Sequence, residues 1–363
     1  MSQTEDEFPR GAYRICGYTH SNEDDLAEWF TLELRLNGTI FRIRVFVSNF
    51  HNSPARTKEF YKYFAFLSSD VEEYDGEEDN MDDNEHDTQG ITVSECFHWA
   101  TKSFLPVFQH TAPQPTFSST VTLQQFLACK SLECDLGAVN DELRLGEMEE
   151  RDPGAPFIES GFGVEVTLRI TSFPSFPPSQ VEIISQDPEY ILTDAPTRVL
   201  VGGQYCFFKT LDGIGEALGV KETTRHEQIL QAHFGPDVRT SSLFGVVQDE
   251  GHQLLGLFLY YIESSTLWEA VKSPETTQGL KERWARQIQD TLASLHRAGI
   301  VCGDAKPDNI IIDVYGDART IDFGGGYTEG WVDKEKARTI EGDLQGLRNI
   351  LDFLSGDEMG CNE

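Results

Sequence analysis

The chain is predicted to be an α+β protein of two domains: a mixed α/β domain over 1–178 and a second α+β domain over 179–363. Three observations carry this. An Asn37-Gly38 pair sits between two apolar-polar alternating runs, the strongest short-range hairpin signal. Pro174, Pro177 and Pro178 break every periodic pattern and mark a boundary. Beyond them short apolar runs give way to a helical stretch, a polar loop and another apolar run.

Composition narrows the functional classes. With 363 residues, 39% hydrophobic and 25% charged, the chain has enough material for two buried cores. It carries 61 acidic against 29 basic residues, a net charge of −32, so its surface repels DNA, RNA and anionic membranes; neither nucleic acid nor membrane is an expected partner. The seven cysteines are scattered without a Cys-x-x-Cys pair, the pattern of free thiols in a reducing compartment. The acidic start Met1–Glu7 lacks the basic and apolar stretches of a signal peptide, so none is expected, and no apolar run reaches the roughly 18 residues of a membrane span. An intracellular, soluble protein is expected, with cytoplasm and nucleus both open.

In chain order, Thr31–Leu36 and Thr39–Val47 form the hairpin about Asn37-Gly38. Residues 58–67 are rich in aromatics, and their spacing suits a helix or a strand. From Asp70 to Asp87 eleven of eighteen residues are acidic, and self-repulsion predicts a disordered insert over 70–90. A helix is expected around Cys96–Ala100, then a turn at Pro113 and Pro115; His98 and His110 lack metal-ligand spacing. A strand is expected over Gly163–Ile170.

In the second half, Val181–Ile184 reads as a first strand, and Arg198–Val201 with Tyr205–Lys209 as a hairpin about Gly202-Gly203. A helix is expected over Thr224–Leu230, and strands over Phe244–Val247 and Leu255–Ile262. A short helix starts near Thr266, capped by Ser265 or Thr266. Trp284, Ile288, Leu292 and Leu295 keep helical spacing in a longer helix that ends at Gly299. The loop that follows holds Asp304, Lys306 and Asn309, and Asp322-Phe323-Gly324 comes after the next apolar strand.

Those residue types suit phosphoryl transfer, which asks of a protein mainly positioning and charge neutralisation. An Asp can take the hydroxyl proton, a Lys two residues on can sit by the transferred phosphate, and Asn and Asp oxygens are ligands that Mg²⁺ accepts beside phosphate oxygens.

Gly303-Asp304-Ala305-Lys306-Pro307-Asp308-Asn309 with Asp322-Phe323-Gly324 resembles the catalytic loop and magnesium turn of the eukaryotic protein kinases, and most closely the short kinase-like domains of filamentous fungi. The resemblance covers about Val181 onward and implies a bilobal fold with a truncated lower lobe. It implies ATP and Mg²⁺ as cofactors, Asp304 as base, Lys306 as charge stabiliser, and Asn309 and Asp322 as metal ligands. It further implies that Lys209 holds the nucleotide phosphates through an ion pair with Glu227, Glu222 being the competing residue. The backbone of Tyr260 and Ile262 would bind the adenine edge, Leu259 would line the back of that pocket, and Asp343 would brace the catalytic loop from beneath.

The sequence departs from the kinase pattern in four places. Ser185–Tyr190 holds no glycine where a phosphate-cradling loop belongs, and Cys302-Gly303 replaces the usual His-Arg. Only 18 residues separate Gly324 from Asp343, without Ala-Pro-Glu, and the chain stops at Glu363. A Ser/Thr-type protein kinase is the first expectation. The alternatives are a pseudokinase that binds or scaffolds, and a small-molecule kinase, with the phosphoacceptor open in each case.

Overall fold

A computed structural model describes residues 13–21, 27–68, 91–117, 120–151, 172–211, 215–251, 254–326, 328 and 330–356. The acidic segment Asp70–Asp87 and the expected strand Gly163–Ile170 lie outside these residues. The chain divides into two compact units, Met1–Gly161 with Val181–Pro196 and Phe162–Gln180 with Thr197–Glu363. Sheets and helices mix in both, as an α+β assignment requires.

The first unit opens with β1 (Arg14–His20), β2 (Trp29–Leu36) and β3 (Thr39–His51), an antiparallel meander. Leu36 pairs with Thr39 across Asn37-Gly38, whose φ values of 49° and 79° are both positive, as a tight hairpin turn of this hand demands. Next come α1 (Pro54–Ser68), α2 (Val93–Thr101), α3 (Leu105–Thr111), α4 (Leu123–Leu127) and β4 (Lys130–Val139). β4 pairs parallel with β3, so the helices between them form the crossover that parallel strands need. β5 (Glu142–Leu145) and β6 (Glu149–Arg151) both pair with β4.

The ambiguous aromatic stretch is helical: α1 buries Phe60, Tyr63 and Leu67, one face of a helix, against the sheet. Phe30 stacks on Phe60 at 5.4 Å between ring centroids, and Phe41 meets Phe108 at 4.8 Å. A capping box of Thr92 and Glu95 starts α2.

β7 (Ser175–Phe176) belongs to the second unit, whereas β8 (Val181–Ile183) packs with the first. The sequence reading begins the second domain at 179, with Val181–Ile184 as a strand, and β8 forms there. The Ile183 amide donates to Val121 O at 2.9 Å, the Gly38 amide to Leu192 O at 3.1 Å and the Asn37 amide to Thr193 Oγ1 at 2.9 Å. These bonds join residues more than 60 positions apart, which local pattern does not encode.

In the second unit β9 (Arg198–Val201), β10 (Gln204–Thr210), β11 (Leu243–Gln248) and β12 (Leu254–Tyr260) stand in the order β7-β11-β12-β10-β9, with α5 (Gly215–Ala232) between β10 and β11 in the chain. A second sheet contains β13 (Ser264–Thr266), β14 (Ile310–Asp313) and β15 (Ala318–Thr320). Its core is shared with α6 (Leu267–Lys272), α7 (Gln278–Arg297) and α8 (Ile340–Ser355). Thr266 caps α6 in a capping box with Glu269. α7 buries Trp284, Ile288, Leu292 and Leu295 as their spacing predicts. Among the described residues no helix is long and apolar enough to cross a membrane.

Candidate active site

Three elements bring carboxylates and lysines together within the second unit: β10, α5 and the loops flanking β14 and β15. Lys209 leaves β10 opposite Leu257, and its Nζ lies 2.9 Å from Asp322 Oδ2 and 3.3 Å from Glu222 Oε2. Glu222 is 1% exposed; Lys209 faces its Oε2, and His226 Nε2 lies 3.8 Å from its Oε1.

On α5 it is thus Glu222, not Glu227, that meets Lys209. The sequence favours Glu227 because the register of Glu222 against Ile229 and Leu230 fits an apolar inward face less well. The structure turns α5 differently: Glu222, Thr223 and His226 are buried, Leu230 is 57% exposed and Glu227 only half-buried. Beside Ile229, which packs on the core, the buried face here carries Glu222, Thr223 and His226, so hydrophobic spacing alone does not single out the inward glutamate.

Asp304 follows Gly303 in the loop after α7 and is buried at 7% exposure. Lys306 Nζ stands 3.2 Å from its Oδ2. Burial pushes the Asp304 carboxyl above the ordinary aspartate value; Lys306 opposes that shift and the nearby Asp322 charge adds to it. Asn309, 3% exposed, donates its amide to Asp304 O at 2.9 Å and to Oδ2 at 3.3 Å. The Ile321 amide bonds to Asn309 O at 3.0 Å, so Asn309 lies beside the residue that precedes Asp322. Asp322 itself adopts φ 57°, a left-handed conformation that costs a non-glycine residue about 1–3 kcal/mol. Its Oδ1 accepts the Gly324 amide at 3.0 Å, which offsets part of that cost.

The loop is braced from below. Asp343, 1% exposed near the start of α8, accepts the Gly303 amide at 2.7 Å on Oδ1 and the Cys302 amide at 2.8 Å on Oδ2, where His296 Nε2 also lies at 2.8 Å. Gly346, one helical turn on, leaves room for the loop: a Cβ there would fall 2.2 Å from Ala305 O.

Sequence reasoning missed one residue of this cluster, Thr328. Its hydroxyl accepts from Lys306 Nζ at 3.1 Å and lies 3.3 Å from both Asp304 oxygens. No spacing rule ties it to Asp304, 24 positions away; only the fold brings them together. The residues expected at the adenine edge lie where β12 ends: Tyr260 pairs with Cys206, Ile262 O accepts from Ser264 Oγ at 3.1 Å, and Leu259 is buried opposite Phe207.

The donor set suits a hard cation. Asn309 spends its amide hydrogens on Asp304 and keeps a carbonyl oxygen, and three carboxylates (Glu222, Asp304, Asp322) outnumber two lysines. No group of three or more His, Cys, Asp or Glu suited to a metal occurs among the described residues. Asn309 Oδ1 and the Asp322 carboxylate are the oxygens here that could take a hard cation such as Mg²⁺.

No protein-family model matches the chain. It is 32% identical over 92 residues to a mitogen-activated protein kinase kinase kinase MCK1 from Pyricularia oryzae, covering 25% of this chain and 6% of that protein. It is 39% identical over 56 residues to the serine/threonine-protein kinase PKH3 of Eremothecium gossypii, covering 14% and 8%. To a putative cyclin-dependent kinase F-2 from Oryza sativa subsp. japonica it is 32% identical over 68 residues, covering 18% and 21%. The chain thus spans about a fifth or less of the length of these relatives, and it contains a region similar to protein kinases.

Proposed function

We propose that the second unit is an ATP- and Mg²⁺-dependent phosphotransferase of protein-kinase-like fold whose acceptor is a hydroxyl, as on a Ser or Thr side chain. One observation carries this: the Thr328 hydroxyl lies 3.3 Å from the Asp304 carboxylate and 3.1 Å from Lys306 Nζ. An alcohol therefore fits between a carboxylate that can take its proton and an ammonium that can neutralise the charge arriving on it. The resemblance to serine/threonine and mitogen-activated kinases points the same way.

In this mechanism the acceptor hydroxyl displaces Thr328, and Asp304 orients it and takes its proton as the new O–P bond forms and the bond to the ADP oxygen breaks. Lys306 supports the charge on the transferred group. Lys209, held by Glu222 and Asp322, steadies the remaining phosphates. Mg²⁺ bound at Asn309 and Asp322 would screen the phosphate charge.

A second reading, a nucleotide-binding module without turnover, is favoured by the segment Ser185–Tyr190. It has no glycine, and the residues just after it bond within the first unit rather than forming a phosphate cradle. Transfer of labelled phosphate from Mg-ATP to Ser/Thr peptides and to small alcohols separates the two. Asp304→Ala should lower the rate by about 10²- to 10⁴-fold, while Asp308→Ala, at the adjacent turn, should leave it nearly unchanged. Equal loss in both variants would refute the role of Asp304; nucleotide binding without any transfer by the native protein would establish the second reading.

A further inference from the structure

α5 reaches the site through three side chains on adjacent turns, and the phosphotransferase reading uses only Glu222. His226 sets its ring edge-on to Phe323, with centroids 5.4 Å apart. Arg225 does more: its Nη1 donates to Phe323 O, the carbonyl one residue beyond Asp322. The guanidinium lies in a space that two glycines leave open. A Cβ on Gly303 would lie 3.4 and 3.5 Å from its nitrogens, and one on Gly325 2.9 and 3.4 Å from them. Both glycines have positive φ, 98° and 76°, and the two backbones meet at this point, with Gly325 Cα 3.0 Å from the Gly303 Cβ position. Gly303 immediately precedes Asp304, and Gly325 closes the turn begun by Asp322. A single cation from α5 thus touches both loops that carry the carboxylates.

We propose that Arg225 is a positioning residue that fixes the Asp322–Gly325 turn against the Asp304 loop, so that metal ligand and base stand in register. This rests on the phosphotransferase reading. In physical terms, the bond to Phe323 O holds the residue after the strained Asp322, and the guanidinium keeps the two glycine backbones at a set spacing. A misplacement of about 1 Å is enough to cost on the order of 10²-fold in rate.

Arg225→Met keeps the aliphatic stem and removes the donors. It should lower kcat by about 10- to 100-fold while the KM for ATP moves less than about threefold, because the phosphate clamp at Lys209 and Glu222 stays. Arg225→Lys, which restores a cationic donor, should recover at least part of the lost kcat. Gly325→Ala approaches the same contact from the other side and should show the same split; combined with Arg225→Met it should cost much less than the sum of the two. Unchanged kcat in Arg225→Met, no recovery with Lys, or simple additivity with Gly325→Ala would overturn the proposal. Amide hydrogen exchange gives an independent decision. Arg225→Met should speed exchange at residues 322–325 and 303–304 with the melting temperature unchanged, and protection equal to native would overturn the assignment. A native protein that transfers no phosphate would refute the phosphotransferase reading alone, since exchange still decides the role of Arg225.

Discussion

Asp343 offers the most quantitative test of how the catalytic loop is held. It is 1% exposed and takes two main-chain amides, Cys302 and Gly303, besides the His296 ring. Asp343→Ala leaves both amides buried and unsatisfied at about 1–3 kcal/mol each, so the unit should lose roughly 2–6 kcal/mol. For a folding unit of this size each kcal/mol shifts Tm by about 2–4 °C, so the fall should be at least about 4 °C. Asp343→Asn keeps one acceptor oxygen and should lose about half as much. Thermal unfolding followed by near-ultraviolet circular dichroism measures the loss, and amide exchange at Cys302 and Gly303 locates it. A variant that melts within about 1 °C of native, with both amides still protected, would refute the bracing role.

The ion pair, the base and the thiol each give a further test. Glu222→Gln should lower kcat/KM for ATP by at least about tenfold, since it removes the buried partner of Lys209; Glu227→Gln should change it less than twofold, and steady-state kinetics on both variants reverses the assignment if the order is opposite. Because burial raises the Asp304 carboxyl and only its ionised form can take a proton, the rate should fall away on the acid side above the ordinary aspartate value. Lys306→Met removes an opposing influence and should move that limb to still higher pH; a limb that stays put or moves down in a pH–rate profile would contradict the coupling. Burial also raises the Cys302 thiol well above its ordinary value, so alkylating reagents at neutral pH should leave it unmodified in the native protein and label it only on unfolding, as mass spectrometry can read.

What the sequence made legible follows the range of the interactions. The Asn37-Gly38 hairpin and the α7 face of Trp284, Ile288, Leu292 and Leu295 depend on neighbours within a few residues, and both form as expected. The aromatic run at 58–67 could not be resolved by periodicity, because its outcome depends on Phe30 and Phe50, which pack on Phe60 from other strands. The loop residues Asp304, Lys306 and Asn309 share one short motif, and the fold brings them beside Asp322 and Lys209. Glu222 ranks behind Glu227 in the sequence because an inward helix face is expected to be apolar, whereas here that face carries the carboxylate that meets Lys209. Thr328, Arg225 and the packing of 181–196 with the first unit rest on contacts between distant residues, where neither spacing nor composition leaves a trace.

Nucleotide binding with and without metal tests the central claim most directly. Isothermal titration of ATP into the native protein should show binding that strengthens sharply with Mg²⁺, and a saturating dose near 100 times Kd should stabilise the fold by about 2.7 kcal/mol. In Asp322→Asn, which removes one of the two proposed metal ligands, the fold should persist and the Mg²⁺-dependent part of the binding should vanish. The same Mg²⁺-dependent affinity in native and Asp322→Asn protein, or no ATP binding by the native protein at all, would contradict the account.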